Sequence, residues 1–226
     1  MVEAEKTMSG ECKDRYLRST EIIDWETPEV LDLSRTIAAE LSEPTDVARA
    51  CFEWVRDEIA HSGDHRASVT TCRASEVLRD RTGWCFAKSH LLAALLRANG
   101  IPAGLCYQRL SRGEGNGFTL HGLNAVLLPG TGWYRIDARG NKNGVDAQFT
   151  PPAETLAWPA ILEGEYDFPE IWSDPAPVVV ECLLTNMGWQ AVRANLPDIP
   201  MIRRRTKERQ APTGRSLDRN TDQEIP

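Results

Sequence analysis

In RTGWCFAKSHLLAALLRANGIP, residues 81–102, a turn-prone Thr-Gly leads into a cysteine and the cysteine into a helical pattern. Thr82 stands where an N-capping hydroxyl would, and Ala87, Leu91, Ala94, Leu95 and Ala98 fall on one stripe. Gly100 occupies the usual position past a helix end, and Pro102 blocks continuation. The segment therefore predicts a helix with Cys85 in its first turn. A helix N-terminus offers N–H groups without intrahelical acceptors and about half a positive charge. That field favours thiolate, the nucleophilic form of cysteine, and the same N–H groups can hold an oxyanion. The competing reading is a cysteine that simply fills the core as a small apolar side chain.

Upstream, Val30, Leu33, Ile37 and Leu41 make one amphipathic helix over 28–41. After the break at Pro44, Val47, Cys51, Trp54, Val55 and Ile59 make a second. His61-Ser62-Gly63-Asp64-His65 reads as a loop, with His61 or Asp64 open to a supporting role, and Ala74 to Leu78 as a short helix. Downstream, strands are predicted over 104–110, 119–128 and 133–138, the last two joined as a hairpin through Pro129-Gly130-Thr131-Gly132. A short helix is expected over 153–158, and a helical stretch from Asp174 to Asn195 with a break near Gly188. Helices followed by an antiparallel meander give an α+β fold. One domain is expected over 15–200, between a flexible N-terminus at 1–14 and a disordered basic and polar tail at 201–226.

A nucleophilic thiol needs a base, and the base an orienting group. The chain has four histidines. His90 lies about 140° around the helix from Cys85 and faces away from it. His61 and His65 bracket a Ser-Gly turn, and no third metal ligand accompanies them. His121 remains, on the second strand, with Asp137 on the third. The two share a face only if the hairpin loop has an odd number of residues or the ladder carries a bulge. Glycines at 130 and 132 suit a three-residue loop with a left-handed position.

The net charge of −7 disfavours a nucleic-acid partner, the run Arg203-Arg204-Arg205-Thr206-Lys207 being read as solvated tail. No apolar run exceeds Leu91 to Leu96, so no membrane span is expected, and the first twenty residues have no signal-peptide core. The expectation is a cytoplasmic protein with its six cysteines mostly reduced.

A Gly-x-Cys opening a Leu/Ala-rich helix, followed by LLRANGIPAGLCYQ, a strand carrying His and a strand of the form Trp-Tyr-x-x-Asp, resembles the transglutaminase-like superfamily, in particular its small bacterial members. Papain-like cysteine proteases are included in the broad sense. The resemblance implies a papain-like α+β core, with N-terminal helices packed on an antiparallel sheet. It also implies a Cys-His-Asp triad: Cys85 as nucleophile, His121 as general base and acid, Asp137 as the orienting carboxylate. The reaction implied is attack on an amide, ester or thioester carbonyl of a peptide, protein or small amide, through a thioacyl-enzyme, with no cofactor and no metal. The Cys85 N–H would donate to the oxyanion. Gln108 is a second donor or an ordinary strand polar residue; Trp84 shapes the substrate groove or packs; Asn124, in the changed sequence after the histidine, is a third position for substrate or oxyanion contact. Many relatives have Ala-Trp-x-Glu after the histidine and Pro-Thr after the acid. This chain has Gly122-Leu123-Asn124-Ala125 and Ala138-Arg139-Gly140-Asn141. Two other readings remain beside the enzyme. One is a catalytically silent domain that binds a peptide or protein. The other is a redox-sensing Cys85 resolved by Cys106.

Overall fold

A computed structural model of the chain describes residues 13–113 and 117–200. The flexible N-terminal reading of residues 1–12 and the disordered-tail reading of 201–226 lie outside the described residues. Two amphipathic helices come first, α1 (Pro28–Ala38) and α2 (Pro44–Glu58), each with proline in its first turn, where a missing N–H costs nothing. Strand β1 (Ala60–His61) follows, then α3 (Ala74–Asp80), β2 (Thr82–Gly83) and α4 (Cys85–Ala98). Next are the strands β3 (Ala103–Ser111), β4 (Phe118–Leu128), β5 (Gly132–Ile136) and β6 (Tyr166–Asp167). Helices α5 (Pro177–Thr185) and α6 (Gly188–Ala194) complete the fold. The main sheet is antiparallel throughout, ordered β5-β4-β3-β6. The architecture is α+β, as the order of patterns predicts.

Helix α4 is the centre of the core. Every residue from Cys85 to Arg97 is buried, so the expected single stripe is instead burial on all sides. Helices α1, α2 and α3 pack around it, and β3 and β4 close it from the sheet side. On the opposite face of the sheet, Cys106, Leu123 and Ala125 form a small cluster covered by Trp133, Leu156 and Ile171.

The β4–β5 ladder pairs Leu128 with Gly132 and Asn124 with Ile136. The loop is therefore three residues, 129–131, and Gly130 and Gly132 both take positive φ, 72° and 80°. An odd loop puts Asp137 in phase with Leu123 and so with His121, the condition the sequence set for their meeting.

Three expectations need correction. Thr82 does not cap α4; it lies in β2, its hydroxyl donates to the Ala60 carbonyl, and the N-cap position belongs to Trp84. Parallel pairing of β1 with β2 consumes this segment as strand, and two-residue strands leave no periodicity to read. Residues 153–158 are not a helix; Thr155 bridges back to Gln148 and Ala157 donates to Asp137. Leu41 lies beyond the end of α1 and is exposed.

Candidate active site

Cys85 is the first residue of α4. What brings it to the sheet is Gly122. A Cβ on that residue would stand 2.6 Å from Phe86 Cδ1 and 3.2 Å from Phe86 Cα, so only glycine lets the first helical turn lie directly on β4. The neighbour of Gly122 in the chain is His121. Its Nε2 lies 2.8 Å from Asp137 Oδ2, and the ring lies close enough to the Cys85 sulfur for that group to act on its charge. His121 is buried and Asp137 wholly so.

Asp137 follows β5 directly. Its Oδ1 accepts the Arg139 N–H at 3.1 Å, and its Oδ2 accepts the Ala157 N–H at 3.1 Å besides His121. Burial works against its charge, but the facing imidazolium and these two N–H donors hold the carboxyl below the usual range. Burial likewise opposes a charged His121, and the Asp137 carboxylate with the Cys85 sulfur outweighs it, raising the imidazole well above its ordinary value. Trp158 stands edge-on to His121, with ring centroids 5.0 Å apart. It shields the His–Asp bond from water and so strengthens it.

Cys85 and His121 open into a cavity of about 450 Å3 with two unlike walls. One wall is polar: Trp84, His61 and Arg139. Trp84 stacks edge-on to His61 at 5.2 Å. Arg139 forms a two-pronged pair with Asp64, at 2.6 and 2.9 Å, and Lys142 reaches the same carboxylate at 2.8 Å. Burial, reinforced by the Arg139 charge, pushes His61 well below its ordinary value, so it is neutral. Trp84 Nε1, His61 Nδ1 and Arg139 Nε are buried without a hydrogen-bond partner among the described residues. The other wall is apolar, made by Leu110, Leu120, Pro159, Ile161, Leu162 and Leu196.

The structure thus brings Cys85, His121, Asp137 and Trp84 together. It does not bring in Gln108 or Asn124 as donors. Gln108 faces His121 across the β3–β4 ladder, but its amide N–H2 is committed to the Trp158 carbonyl at 3.2 Å and Asp167 at 2.9 Å. Asn124 is fully buried and points at the core, donating to the carbonyls of Ser89 at 2.9 Å and Gly104 at 3.2 Å. It ties α4 to the sheet. Cys106 belongs to the cluster on the far face of the sheet, and burial pushes its thiol up to about 12, which removes it as a ready resolving partner. His90 is buried and packs in the core, with Nδ1 2.7 Å from the Cys72 carbonyl. Sequence reasoning missed Arg139, although its position two residues past the acid in Asp-Ala-Arg was a signal. Trp158 entered only as part of the aromatic and proline-rich segment 149–175.

Residues 32–138 match the family model described as the transglutaminase-like superfamily. Among curated proteins none matches the chain. Among solved structures, the chain is similar to a candidate cysteine protease of Cytophaga hutchinsonii, with 19% identity and a TM-score of 0.48 over 59% of this chain and 43% of that one. It is also similar to the periplasmic domain of TgpA from Pseudomonas aeruginosa, with 18% identity and a TM-score of 0.46 over 58% of this chain and 48% of that one. A third is red sea bream transglutaminase, with 16% identity and a TM-score of 0.37 over 56% of this chain and 26% of that one. The matched region is less than half the length of each of these three proteins. The family match covers α2, α4, β3, β4, β5 and the positions of Cys85, His121 and Asp137, and it supports a transglutaminase-like fold for this core.

Proposed function

We propose that this protein, a member of the transglutaminase-like superfamily by its core, is a thiol-dependent hydrolase or acyltransferase acting on an amide or ester carbonyl. The observation that carries the reading is the buried 2.8 Å His121–Asp137 bond, made by a histidine whose other side meets a cysteine at a helix N-terminus. Asp137 fixes the ring so that Nδ1 faces sulfur, and it stabilises the imidazolium that forms when the Cys85 proton moves to His121. Thiolate attack on the carbonyl puts negative charge on oxygen. The Cys85 N–H and the α4 dipole lie where that charge develops, and the unpartnered Trp84 Nε1 is a second donor on the same wall. His121 then gives its proton to the departing amine or alcohol, leaving a thioester on Cys85. Water, or an amine, resolves the thioester after yielding a proton to His121.

The test is direct trapping. Brief exposure to 4-nitrophenyl acetate, followed by peptide mass spectrometry, is expected to place an acetyl group on Cys85 that disappears with time. The same adduct is expected to be absent from Cys85→Ala and formed far more slowly in His121→Ala. Acetylation spread over surface lysines with Cys85 unmodified would contradict the reading.

A further inference from the structure

Three side chains stand in series behind the His121–Asp137 bond. Trp158 is edge-on to His121, with ring planes at 85° and centroids 5.0 Å apart. The Arg139 guanidinium lies over the Trp158 ring, 5.1 Å from its centroid, in a cation–π contact. Asp64, in the turn after β1, holds that guanidinium with both carboxylate oxygens, at 2.6 and 2.9 Å. The series joins the β1 turn to the segment after β5 and to the segment before β6.

Arg139 is only 5% exposed, so the pair is largely withdrawn from water. A buried ion pair adds little to stability, because stripping water from both charges offsets their attraction. What a two-pronged pair does supply is a fixed orientation for a planar cation. The main chain beside the indole is already anchored. Ala157 N–H donates to Asp137 Oδ2 at 3.1 Å, and the Trp158 carbonyl accepts from Gln108 at 3.2 Å. Those bonds leave the indole free to turn about its own side-chain bonds, so the ring's orientation depends on packing, to which His121 and Arg139 contribute. Without the Asp64 charge, Arg139 is a buried cation that has lost its partner, and such a group moves toward water. The indole then loses its support on that face. Water reaches the His121–Asp137 bond, and the carboxylate holds the imidazolium less firmly.

We propose that Asp64 is a positioning residue for the reaction: by clamping Arg139 against Trp158, it keeps the indole over the His121–Asp137 bond. The inference rests on the thiol acyl-transfer reading above and adds to it a residue outside the Cys85–His121–Asp137 set. Lys142 pairs with the same carboxylate at 2.8 Å from an exposed position and serves as the control.

The test follows Cys85 alkylation by iodoacetamide against pH in the full chain, resolved by site. Asp64→Asn is expected to slow alkylation below neutral pH on the order of tenfold, the effect of about one unit in its onset. Arg139→Lys is expected to do the same. Lysine keeps the charge but offers neither the two-pronged pair nor the planar face, and this variant carries the test if Asp64→Asn does not fold. Lys142→Ala leaves the profile in place. In a Trp158→Leu background, Asp64→Asn has no further effect, because the clamp has nothing left to position. The Trp158 indole N–H resonance, assigned by its loss in Trp158→Leu, is expected to shift in Asp64→Asn and Arg139→Lys and to stay in Lys142→Ala. Four results overturn the inference and leave the acyl-transfer reading standing: a wild-type profile in Asp64→Asn, a wild-type profile in Arg139→Lys, the same loss from Asp64→Asn with and without Trp158, or an unmoved indole. A Cys85 indifferent to His121 overturns that reading, and the role of Asp64 with it.

Discussion

The two ends of α4 are built from opposite choices. At its C-terminus the backbone is fully closed: Gly100 N–H bonds the Arg97 carbonyl at 2.9 Å, and Ile101 N–H the Leu96 carbonyl at 3.0 Å. Gly100 supplies the positive φ, 72°, that this closure needs. Arg97 then spends its guanidinium on the carbonyls of Ala103, Arg18 and Ser173, locking three segments onto the helix end. At its N-terminus there is no capping side chain and no proline, unlike α1, α2, α3 and α5, which have one or the other. The first turn instead presents a thiol. Hydrogen-bonding capacity is consumed where the helix only needs to stop, and kept where chemistry is proposed. Loss at one end should therefore be read in stability, and loss at the other in reactivity.

Breaking the N-terminal end has the largest expected effect. His121→Ala removes the proposed base and should lower turnover by about 10²–10⁴-fold, with the urea midpoint moved far less than the rate. Breaking the C-terminal end comes next. Arg97→Met strands carbonyls of Ala103, Arg18 and Ser173 inside the fold and should cost on the order of 3 kcal/mol in urea unfolding, while the surviving native fraction keeps Cys85 reactive. Asp137→Asn sharpens the comparison, since it keeps the shape and removes the charge that raises His121. Turnover should fall by about tenfold to a hundredfold, and the onset of Cys85 alkylation should move to higher pH. Gly100→Ala forces a Cβ into a left-handed position with open space around it, a loss of about 1 kcal/mol with no change in alkylation rate.

Lys88, one turn behind Cys85, ties stability to pH. Its ammonium is buried, donating to the Arg56 carbonyl at 3.2 Å and the Ile59 carbonyl at 2.5 Å. Burial, with Arg139 adding to it, lowers this lysine from 10.5 to about 7. Between those values the unfolded chain holds the proton and the folded chain has released it. This group's contribution to stability therefore rises with pH from about 7 to about 10.5 and is least below 7. The difference between the pH-dependences of urea stability of wild type and Lys88→Met should show that rising slope.

Much of this was legible in the sequence, and the reasons differ by element. Start, stripe and stop signals all agreed on α4, so its span was readable within one or two residues. The hairpin was readable because a two-fold periodicity forced a choice of loop parity, and the glycines at 130 and 132 favoured the odd one. The order Cys85, His121, Asp137 came from residue types along the chain. What was not legible depends on contacts distant in sequence. Asn124 and Gln108 carry donors that suit a site, but only the packing of α4 on β4, and the return of 149–175, decides that these donors are already used. Thr82 looked like a cap because a two-residue parallel bridge to Ala60 and His61 has no local signature. The Asp64–Arg139–Lys142 cluster joins positions more than seventy residues apart, and each was an ordinary charged residue in its own segment.

The central claim is that Cys85 and His121 act as one activated pair. Its most direct test is the rate of Cys85 alkylation by iodoacetamide as a function of pH, resolved by site in the native protein and in His121→Ala. The account predicts rapid alkylation of Cys85 well below the free-thiol value of about 8.5, lost in the variant. Alkylation that rises only near that value and is the same with and without His121 would contradict it.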